Sequence, residues 1–197
     1  INAIRMRPTH SNIRQPGFGV GGYCLTKDPI FAKIAARDIL KINGHDFPFS
    51  SQAIEINNKM PLVTLNKLKK YFNDDLHGKK ILLMGVTYRQ DVGDTRFSPS
   101  EIFYNEAKAE GAEVSAYDPL VEYWDEVDIS MESNLPNSTE FDAIVFAVPH
   151  KEFNQLDLTE LVSGNKVLLF DANNVFTKDQ IIIIKENKLN YMSIGRG

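Results

Sequence analysis

The sequence predicts an α/β fold, in which a helical segment is followed by a doubly wound parallel sheet. No strand pattern occurs before residue 79, and the apolar residues of this first part recur at helical spacing. After residue 79, short apolar runs typical of strands buried on both faces alternate with helical segments. Such alternation indicates a parallel sheet with helices on both faces, as in Rossmann-like domains. The polar break at residues 73–78 therefore predicts two units, residues 1–75 and residues 76–197.

The helical segment contains signals for two helices. Asp28 and Pro29 predict the start of the first helix, with Asp28 as its N-cap, and Gly44 is a plausible end. One of the serines at residues 50–51 would cap the second helix, which Pro61 would kink or divide. Because these helices are apolar on more than one face, we expect the second face to pack against another surface.

Five strands and three helices are predicted in the second unit. The strands cover residues 81–86, 114–117, 143–148, 167–170 and 191–194, and the last two helices lie near residues 156–162 and 178–185. The first helix of this unit begins at Ser98, where Ser98 and Glu101 form a capping-box pattern, and it ends at Gly111. Ligands of such sheets bind at the carboxyl ends of the strands, so the loop after the first strand is a candidate site.

The only cysteine of the chain, Cys24, directly follows a glycine-rich run at residues 16–22. Glycines allow the backbone to adopt positive φ angles and to lie close to a ligand. Lys27 and Asp28 follow the cysteine, and a thiol with a cation and a carboxylate nearby is suited to act as a nucleophile. The alternative is a glycine turn followed by a small buried cysteine.

The same glycines also match the pattern G-x-G-x-x-G at residues 17–22. That pattern indicates dinucleotide binding only where it follows a buried strand and opens a helix. Here residues 10–16 are polar and end in Pro16, which makes them a poor central strand. We therefore predict that this loop is not a dinucleotide-binding turn.

The loop after the first predicted strand carries a second group of candidate residues. Arg89 and Arg96 can form bidentate contacts with phosphate, Tyr88 can stack on a base, and the following helix start favours an anion. The alternative is a solvated polar loop in which these arginines pair with Asp91 and Asp94.

Composition narrows the function classes. The net charge of −4 argues against a general nucleic-acid binder, and no apolar run reaches membrane-spanning length. We accordingly expect no nucleic-acid partner, no membrane segment and no metal site. A single cysteine cannot form an internal disulfide, so a reducing cytoplasm is the expected compartment. The chain begins with Ile1 rather than methionine, which suggests a fragment or a processed chain.

Taken together, two motifs resemble those of the UDP-glucose/GDP-mannose dehydrogenase family. They are the cysteine motif at residues 17–28 and the loop motif at residues 85–99. Three shorter motifs of that family occur in the same order, at residues 57–61, 111–114 and 117–119. The resemblance covers essentially the whole chain.

The resemblance implies the central and C-terminal part of an NAD-dependent nucleotide-sugar 6-dehydrogenase, with the NAD-binding domain upstream. Such an enzyme oxidises the primary alcohol of a UDP-sugar in two steps to a UDP-uronic acid, through a thiohemiacetal and a thioester on the cysteine. A thiol suits this chemistry because it adds to aldehydes and leaves from thioesters readily. A GDP-sugar remains an alternative substrate. A nucleotide-sugar-binding and dimerisation module without catalysis is the alternative function, and an unrelated nucleotide-binding α/β domain is a third reading.

The resemblance also implies roles for individual residues. Cys24 would be the nucleophile, and Asp28 would orient or activate water, with a helix N-cap as its alternative role. Lys27 and Arg96 would contact the cofactor, and Lys27 would lower the pKa of Cys24; a solvated lysine and a structural ion pair are the alternatives. The implied substrate-binding residues are Gln15, Pro16, Gly17, Phe18, Gly19, Val20, Gly21, Tyr88 and Arg89. The helical segment, including Ile34, Ile56 and Leu65, would form a homodimer interface.

Two positions depart from the pattern of the family. Arg89 stands where many members have lysine, which keeps the charge but changes its geometry. The run Asp171-Ala172-Asn173-Asn174 contains no arginine, whereas in the family an arginine often follows the aspartate at the end of this late strand. If an arginine reaches across the dimer in this chain, Arg5 and Arg7 are the candidates, and the spacing to the cysteine does not distinguish them.

Overall fold

The computed structural model describes residues 1–13, 15–42, 44–132, 134–162 and 166–195. The helices are α1 (Asn2–Arg5), α2 (Phe31–Ile34), α3 (Pro48–Tyr71), α4 (Pro99–Ala109), α5 (Leu158–Leu161) and α6 (Lys178–Glu186). The strands are β1 (Lys80–Met84), β2 (Glu113–Tyr117), β3 (Tyr123–Trp124), β4 (Ile129–Ser130), β5 (Ala143–Phe146), β6 (Leu168–Asp171) and β7 (Tyr191–Ser193).

Five of these strands form a parallel sheet in the order β2-β1-β5-β6-β7. The chain passes from β1 through α4 to the edge strand β2, and then crosses back to β5 on the other side of β1. The strand order thus reverses between β1 and β5, and a ligand of an open α/β sheet binds at such a point. β3 and β4 form a separate antiparallel pair.

Helices cover both faces of the sheet, as the uninterrupted apolar strand sequences predict. Because successive side chains of a strand point to opposite faces, Ile81 and Leu83 belong to one core cluster and Leu82 and Met84 to the other. The first cluster includes residues of α3 and α4, and the second includes residues of α5 and α6. The predicted α/β fold, with helices followed by a doubly wound parallel sheet, is confirmed.

The first helix of the helical segment is less regular than its sequence predicts. It is divided into a 3-10 turn (Asp28–Ile30), α2 and a π-helical turn (Ala35–Ile39). The prediction of Asp28 as N-cap is wrong: Lys27 precedes the helix, and no side chain caps it. The Asp28 carboxylate instead accepts a hydrogen bond from Lys27 Nζ at 2.6 Å.

The long helix α3 begins at Pro48, not at one of the predicted serine caps. Proline is favoured at this first position because its missing N–H would have no partner there. Pro61 lies inside α3 and is buried, and the helix continues past it to Tyr71 without being divided. Leu65 and Leu68 of α3 are buried in the same cluster as the sheet. Leu65 therefore packs on the sheet rather than on the outer surface that the sequence suggested.

The predicted capping box at the start of α4 does not form, although Ser98 is the N-cap. Ser98 Oγ accepts a hydrogen bond from the Ser100 amide at 3.2 Å, whereas the Glu101 amide donates to the Ser98 carbonyl. A full capping box occurs instead at Thr177 and Gln180, at the start of α6. Over the part of the chain that the structure describes, no helix combines the length and apolar character that crossing a membrane requires.

Candidate functional site

A cleft of about 690 Å³ lies at the carboxyl ends of the central strands. Single residues contribute to its lining, namely Arg5, Leu25, Asn57 and Met60, and the rest comes from five segments of the chain. They are residues 15–21 of the glycine loop, residues 87–90 after β1, residues 98–100 at the start of α4, and residues 147–149 and 173–174 after β5 and β6. The cleft thus lies where the strand order reverses, as expected for a ligand site of this fold.

The cleft brings together every substrate-binding residue that the sequence predicts. Its lining includes Gln15, Pro16, Gly17, Phe18, Gly19, Val20, Gly21, Tyr88 and Arg89. Cys24, Lys27, Asp28 and Arg96 are not part of this lining. Leu25, the residue after the cysteine, does line it, so Cys24 is adjacent in sequence to the cleft wall.

Two asparagine side chains hold the glycine loop against the rest of the fold. The Phe18 amide donates to Asn173 Oδ1 at 3.3 Å, and the Val20 amide donates to Asn57 Oδ1 at 2.8 Å. Asn57 Nδ2 donates in turn to the Val20 carbonyl at 2.7 Å. Neither residue was predicted as a site residue, although Asn57 begins one of the family motifs and Asn173 lies in the run noted as a departure.

The glycine loop also packs closely on the loop that follows β1. A Cβ atom at Gly21 would lie 2.5 Å from the Phe97 carbonyl oxygen and 2.8 Å from Tyr88 Cβ. At Gly22, where φ is +86°, it would lie 2.9 Å from the Tyr88 ring. The glycines therefore allow two loops to meet. In the described part of the chain no strand precedes the glycine loop, which agrees with the prediction that it is not a dinucleotide-binding turn.

A buried histidine–aspartate pair fixes the loop that carries Tyr88 and Arg89. Asp118 Oδ2 accepts hydrogen bonds from the Val86 and Thr87 amides, at 2.8 and 3.2 Å, and lies 3.0 Å from His150 Nε2. His150 Nδ1 accepts from the Asp91 amide at 3.0 Å, which places the ring proton on Nε2, facing Asp118. The pair therefore holds the backbone on both sides of Tyr88 and Arg89.

The hydrogen bonds of Asp118 give the fold a pH dependence. Burial by itself raises the pKa of this carboxyl, but the hydrogen bond from His150 and those from the Val86 and Leu120 amides outweigh burial and hold the pKa below its usual range. Because the folded state then binds the proton more weakly than the unfolded state, Asp118 stabilises the fold above pH values near 4. That contribution is lost as the pH falls through the lower, folded-state pKa.

We expect Asp118→Asn to flatten this dependence. The variant should lose about 1–3 kcal/mol of the free energy of unfolding at neutral pH, because the amide accepts hydrogen bonds less strongly than the carboxylate. Below about pH 4 its stability should fall less steeply than that of the wild type. Urea titrations between pH 3 and pH 7 measure both effects, with Asp74→Asn at an exposed site as control. Equal slopes for Asp118→Asn and the wild type would contradict the assignment.

Cys24 is exposed to solvent, so the alternative of a small buried cysteine is excluded. The charges that follow it pair with each other, since Lys27 Nζ contacts Asp28 Oδ1 at 2.6 Å. The hydrogen bond with Asp28 raises the pKa of Lys27. The Lys27 ammonium also lies over the rings of Tyr23 and Phe31, at 4.5 and 4.6 Å from their centroids. The predicted nucleophile is therefore accessible and stands beside a paired cation and carboxylate.

The two arginines of the β1 loop differ in their partners. Arg96 forms an ion pair with Asp94 at 2.7 Å and thereby lowers the pKa of Asp94. Arg89 lines the cleft and forms no ion pair within the described residues. Asp91, the other proposed partner, contacts Lys151 Nζ at 3.2 Å. Arg96 therefore forms an ion pair of the kind that the structural alternative describes, whereas Arg89 keeps its charge available to a ligand.

Arg5 and Arg7, the two candidates for an arginine that crosses a dimer, are also placed differently. Arg5 lines the cleft of its own chain, and its Nε donates to the Ile13 carbonyl at 2.5 Å. Arg7 is exposed and is not part of the cleft lining.

Comparison with known proteins identifies relatives of this chain. Residues 82–178 match the UDP-binding domain of the UDP-glucose/GDP-mannose dehydrogenase family. The chain is 32% identical over 193 residues to the UDP-N-acetyl-D-mannosamine dehydrogenase of Methanococcus vannielii, a match that covers 96% of this chain and 40% of that protein. It is 29% identical to the UDP-glucose 6-dehydrogenase of Rhizobium meliloti, covering 94% of this chain and 42% of that protein.

Solved structures show the same fold. The UDP-D-ManNAc dehydrogenase of Pyrococcus horikoshii superposes with a TM-score of 0.73 at 26% identity, over 100% of this chain and 44% of that chain. The NDP-N-acetyl-D-galactosaminuronic acid dehydrogenase of Methanosarcina mazei Go1 gives 0.79 at 25% identity, over 95% and 40%.

The present chain spans about 40% of the length of curated relatives that it matches. The domain match covers most of the sheet and the loop that carries Tyr88 and Arg89, and the relatives align along nearly the whole chain. The chain therefore belongs to the UDP-glucose/GDP-mannose dehydrogenase family.

Proposed function

We propose that this chain is the nucleotide-sugar-binding and thiol-bearing part of an NAD-dependent nucleotide-sugar 6-dehydrogenase. One observation carries the proposal: a single cleft at the switch point of the sheet collects all the implied substrate-binding residues, and an exposed cysteine directly precedes Leu25 of its lining. Residues 1–75 supply the thiol and the long helix, and residues 76–197 form the UDP-sugar-binding α/β domain.

The cleft offers suitable groups for a nucleoside diphosphate attached to a sugar. The Arg89 guanidinium, which has no carboxylate partner within the described residues, provides a planar fork for a phosphate group. The Tyr88 ring provides a surface for stacking. Gly17, Gly19 and Gly21 bring backbone without side chains close to the sugar and diphosphate. The family's UDP-binding domain and the names of the relatives support a UDP-sugar over a GDP-sugar.

Cys24 performs the covalent step in this proposal. Its thiolate adds to the aldehyde that the first oxidation of the sugar alcohol produces, which gives a thiohemiacetal and, after the second oxidation, a thioester. Water then hydrolyses the thioester to the uronic acid, and Asp28, four residues after the thiol, orients or activates that water. Asp28 can do so only when its contact with Lys27 leaves one carboxylate oxygen free, and the single 2.6 Å bond involves only Oδ1.

NAD would supply the hydride acceptor for both oxidations. The glycine loop does not fit a dinucleotide cradle, because Gly21 and Gly22 pack against Phe97 and Tyr88 and the loop joins no strand to a helix. We therefore place the main NAD site outside this chain and assign no step to it here. Lys27 and Arg96, which lie outside the cleft lining, contribute at most the edge of that site.

A binding experiment tests the proposal. We expect the 197-residue chain to bind UDP more tightly than NAD in calorimetry, because it contains the cleft, whereas its glycine loop does not fit a dinucleotide. Arg89→Ala should weaken UDP binding by about 10- to 100-fold, since hydrogen bonds to charged groups contribute roughly 1.5–3 kcal/mol. Arg37→Ala, at an exposed arginine that is not part of the cleft, is the control. Tighter binding of NAD than of UDP would refute the proposed division of roles.

The helical segment is proposed to form a homodimer. It exposes large apolar side chains, among them Phe49, Ile39 and Ile56, which are 88%, 74% and 54% exposed. Apolar side chains exposed to this extent on one segment favour a contact with another protein surface. A symmetric two-fold contact through the same surface would cover it on both subunits.

Light scattering at micromolar concentration tests the dimer. We expect a dimer mass for the wild type and a monomer mass for Ile56→Lys, because a buried unpaired charge would oppose the contact. Ile182→Lys is the matched control, since Ile182 is 51% exposed on α6, outside the helical segment. A monomer mass for the wild type that does not change with concentration would show that these helices serve another contact.

A further inference from the structure

The glycine loop shows a regular alternation in its backbone hydrogen bonds. Every second amide is used within the protein: those of Phe18, Val20 and Gly22 donate to Asn173, Asn57 and the Arg96 carbonyl. Within the described residues, the amides of Gly19 and Gly21, which lie between them, have no hydrogen-bond partner. Both of these glycines line the cleft.

Unpaired amides at such a place need an explanation, because backbone N–H groups in folded proteins are nearly always paired when they are removed from water. Gly21 is a buried residue, and Gly19 is half-buried with φ of +137°, a conformation that other residues rarely adopt. Neither residue has a side chain that could hinder a ligand from reaching the amide. The amides are therefore available as donors to oxygen atoms of a ligand in the cleft.

The two asparagines that engage the alternate amides come from distant parts of the fold. Asn57, on α3, uses both its oxygen and its nitrogen on the backbone of Val20. Asn173, after β6, connects the Phe18 amide to the Ala147 carbonyl, to which its Nδ2 donates at 2.7 Å. The loop is thus held from one side by the long helix and from the other by the carboxyl edge of the sheet.

We propose that Asn57 and Asn173 are positioning residues of the nucleotide-sugar site. By binding the amides of Phe18 and Val20, they hold the glycine loop in the conformation that leaves Gly19 and Gly21 free to donate to oxygens of the bound nucleotide sugar. The inference rests on the proposed function and adds to it a pair of residues that act through the loop and do not themselves react.

Alanine substitutions in the complete enzyme test this role. Asn57→Ala and Asn173→Ala should each raise the KM and Kd for the nucleotide sugar by about tenfold. Without the asparagine hydrogen bond that holds it, the loop must be ordered again at each binding event. The KM for NAD should stay within about twofold of the wild type, and kcat should change less than KM. Asn66→Ala, at an exposed asparagine on the same helix α3, is the control.

A merely structural role would give a different result. It would lower the melting temperature and the yield of folded enzyme and leave the KM for the nucleotide sugar unchanged in the protein that remains folded. If an alanine variant does not fold, Asn57→Asp replaces it, because aspartate still accepts from the Val20 amide but cannot donate to the Val20 carbonyl. The same rise in KM and Kd is expected for it.

The double variant provides a further check. Since both asparagines hold one loop, its loss of affinity should be smaller than the product of the two single losses. Calorimetry with UDP-glucose and UDP-N-acetyl-D-mannosamine separates the possible failures. A wild-type enzyme that binds neither probe would refute the proposed function. A wild type that binds one of them, with folded single variants that bind it equally well, would overturn the positioning role alone.

Discussion

Cys24→Ser should abolish uronate formation by the complete enzyme. A serine hydroxyl is hardly ionised near neutral pH, whereas a thiol is partly ionised and strongly nucleophilic, so the covalent adduct with the aldehyde would no longer form at a useful rate. We expect turnover to fall by at least ~10³-fold, the order found when other enzymes lose their nucleophile. Steady-state production of uronate, measured by chromatography, gives the answer.

The same variant should leave the fold and the cleft intact, so that a loss of turnover can be attributed to the loss of the thiol. Cys24 is exposed, and substitutions at exposed sites usually change the free energy of unfolding by less than about 0.5 kcal/mol. The melting temperature and the affinity for the nucleotide sugar therefore serve as internal controls. Near-normal turnover by Cys24→Ser would show that the thiol takes no part in the reaction.

Gly21→Ala is expected to damage both stability and binding. The added Cβ would meet the Phe97 carbonyl at 2.5 Å, Tyr88 Cβ at 2.8 Å and Pro99 Cδ at 2.9 Å, and none of these atoms is the free end of a flexible side chain. The two loops would have to separate, at a cost of about 1–3 kcal/mol. Because both loops form walls of the cleft, affinity for the nucleotide sugar should fall by at least about tenfold.

A second glycine supplies the control for this experiment. Gly78 has φ of +68°, and nothing lies within 4 Å of its would-be Cβ. Gly78→Asn is therefore expected to be tolerated, since asparagine adopts such angles more readily than other side chains. Urea denaturation and calorimetry compare the two variants. If Gly21→Ala kept wild-type stability and affinity, the close contact between the loops would play no part in forming the cleft.

The sheet could be predicted from the sequence because its strands are buried on both faces. Ile81 to Met84 are apolar without interruption and lie at the centre of the fold, so the pattern does not depend on distant partners. The hairpin of β3 and β4 was not predicted, since each of its strands has only two residues. Helix starts were less certain because Asp28, Pro48 and the serines after it all carry capping signals.

Some residues of the candidate site could likewise be predicted from the sequence, and others only from the fold. Residues contiguous in the two motifs, such as Gly21 and Tyr88, could be assigned to one site by resemblance, and the structure brings them together. The residues that hold these motifs in place could not be found this way. Asp118 and His150 are 32 residues apart in sequence, and Phe18 and Asn173 are 155 apart, so only the fold reveals their hydrogen bonds.

The proposed two-step oxidation is tested most directly by the ratio of NADH formed to nucleotide sugar consumed by the complete enzyme. UDP-glucose, UDP-N-acetylglucosamine, UDP-N-acetylmannosamine and GDP-mannose would each be supplied with excess NAD, and the product would be identified by mass spectrometry. A two-step oxidation would give two NADH for each molecule of one UDP-sugar, with a carboxylate as the product. One NADH per sugar with an aldehyde as the product, or no NADH with any of the four, would contradict it.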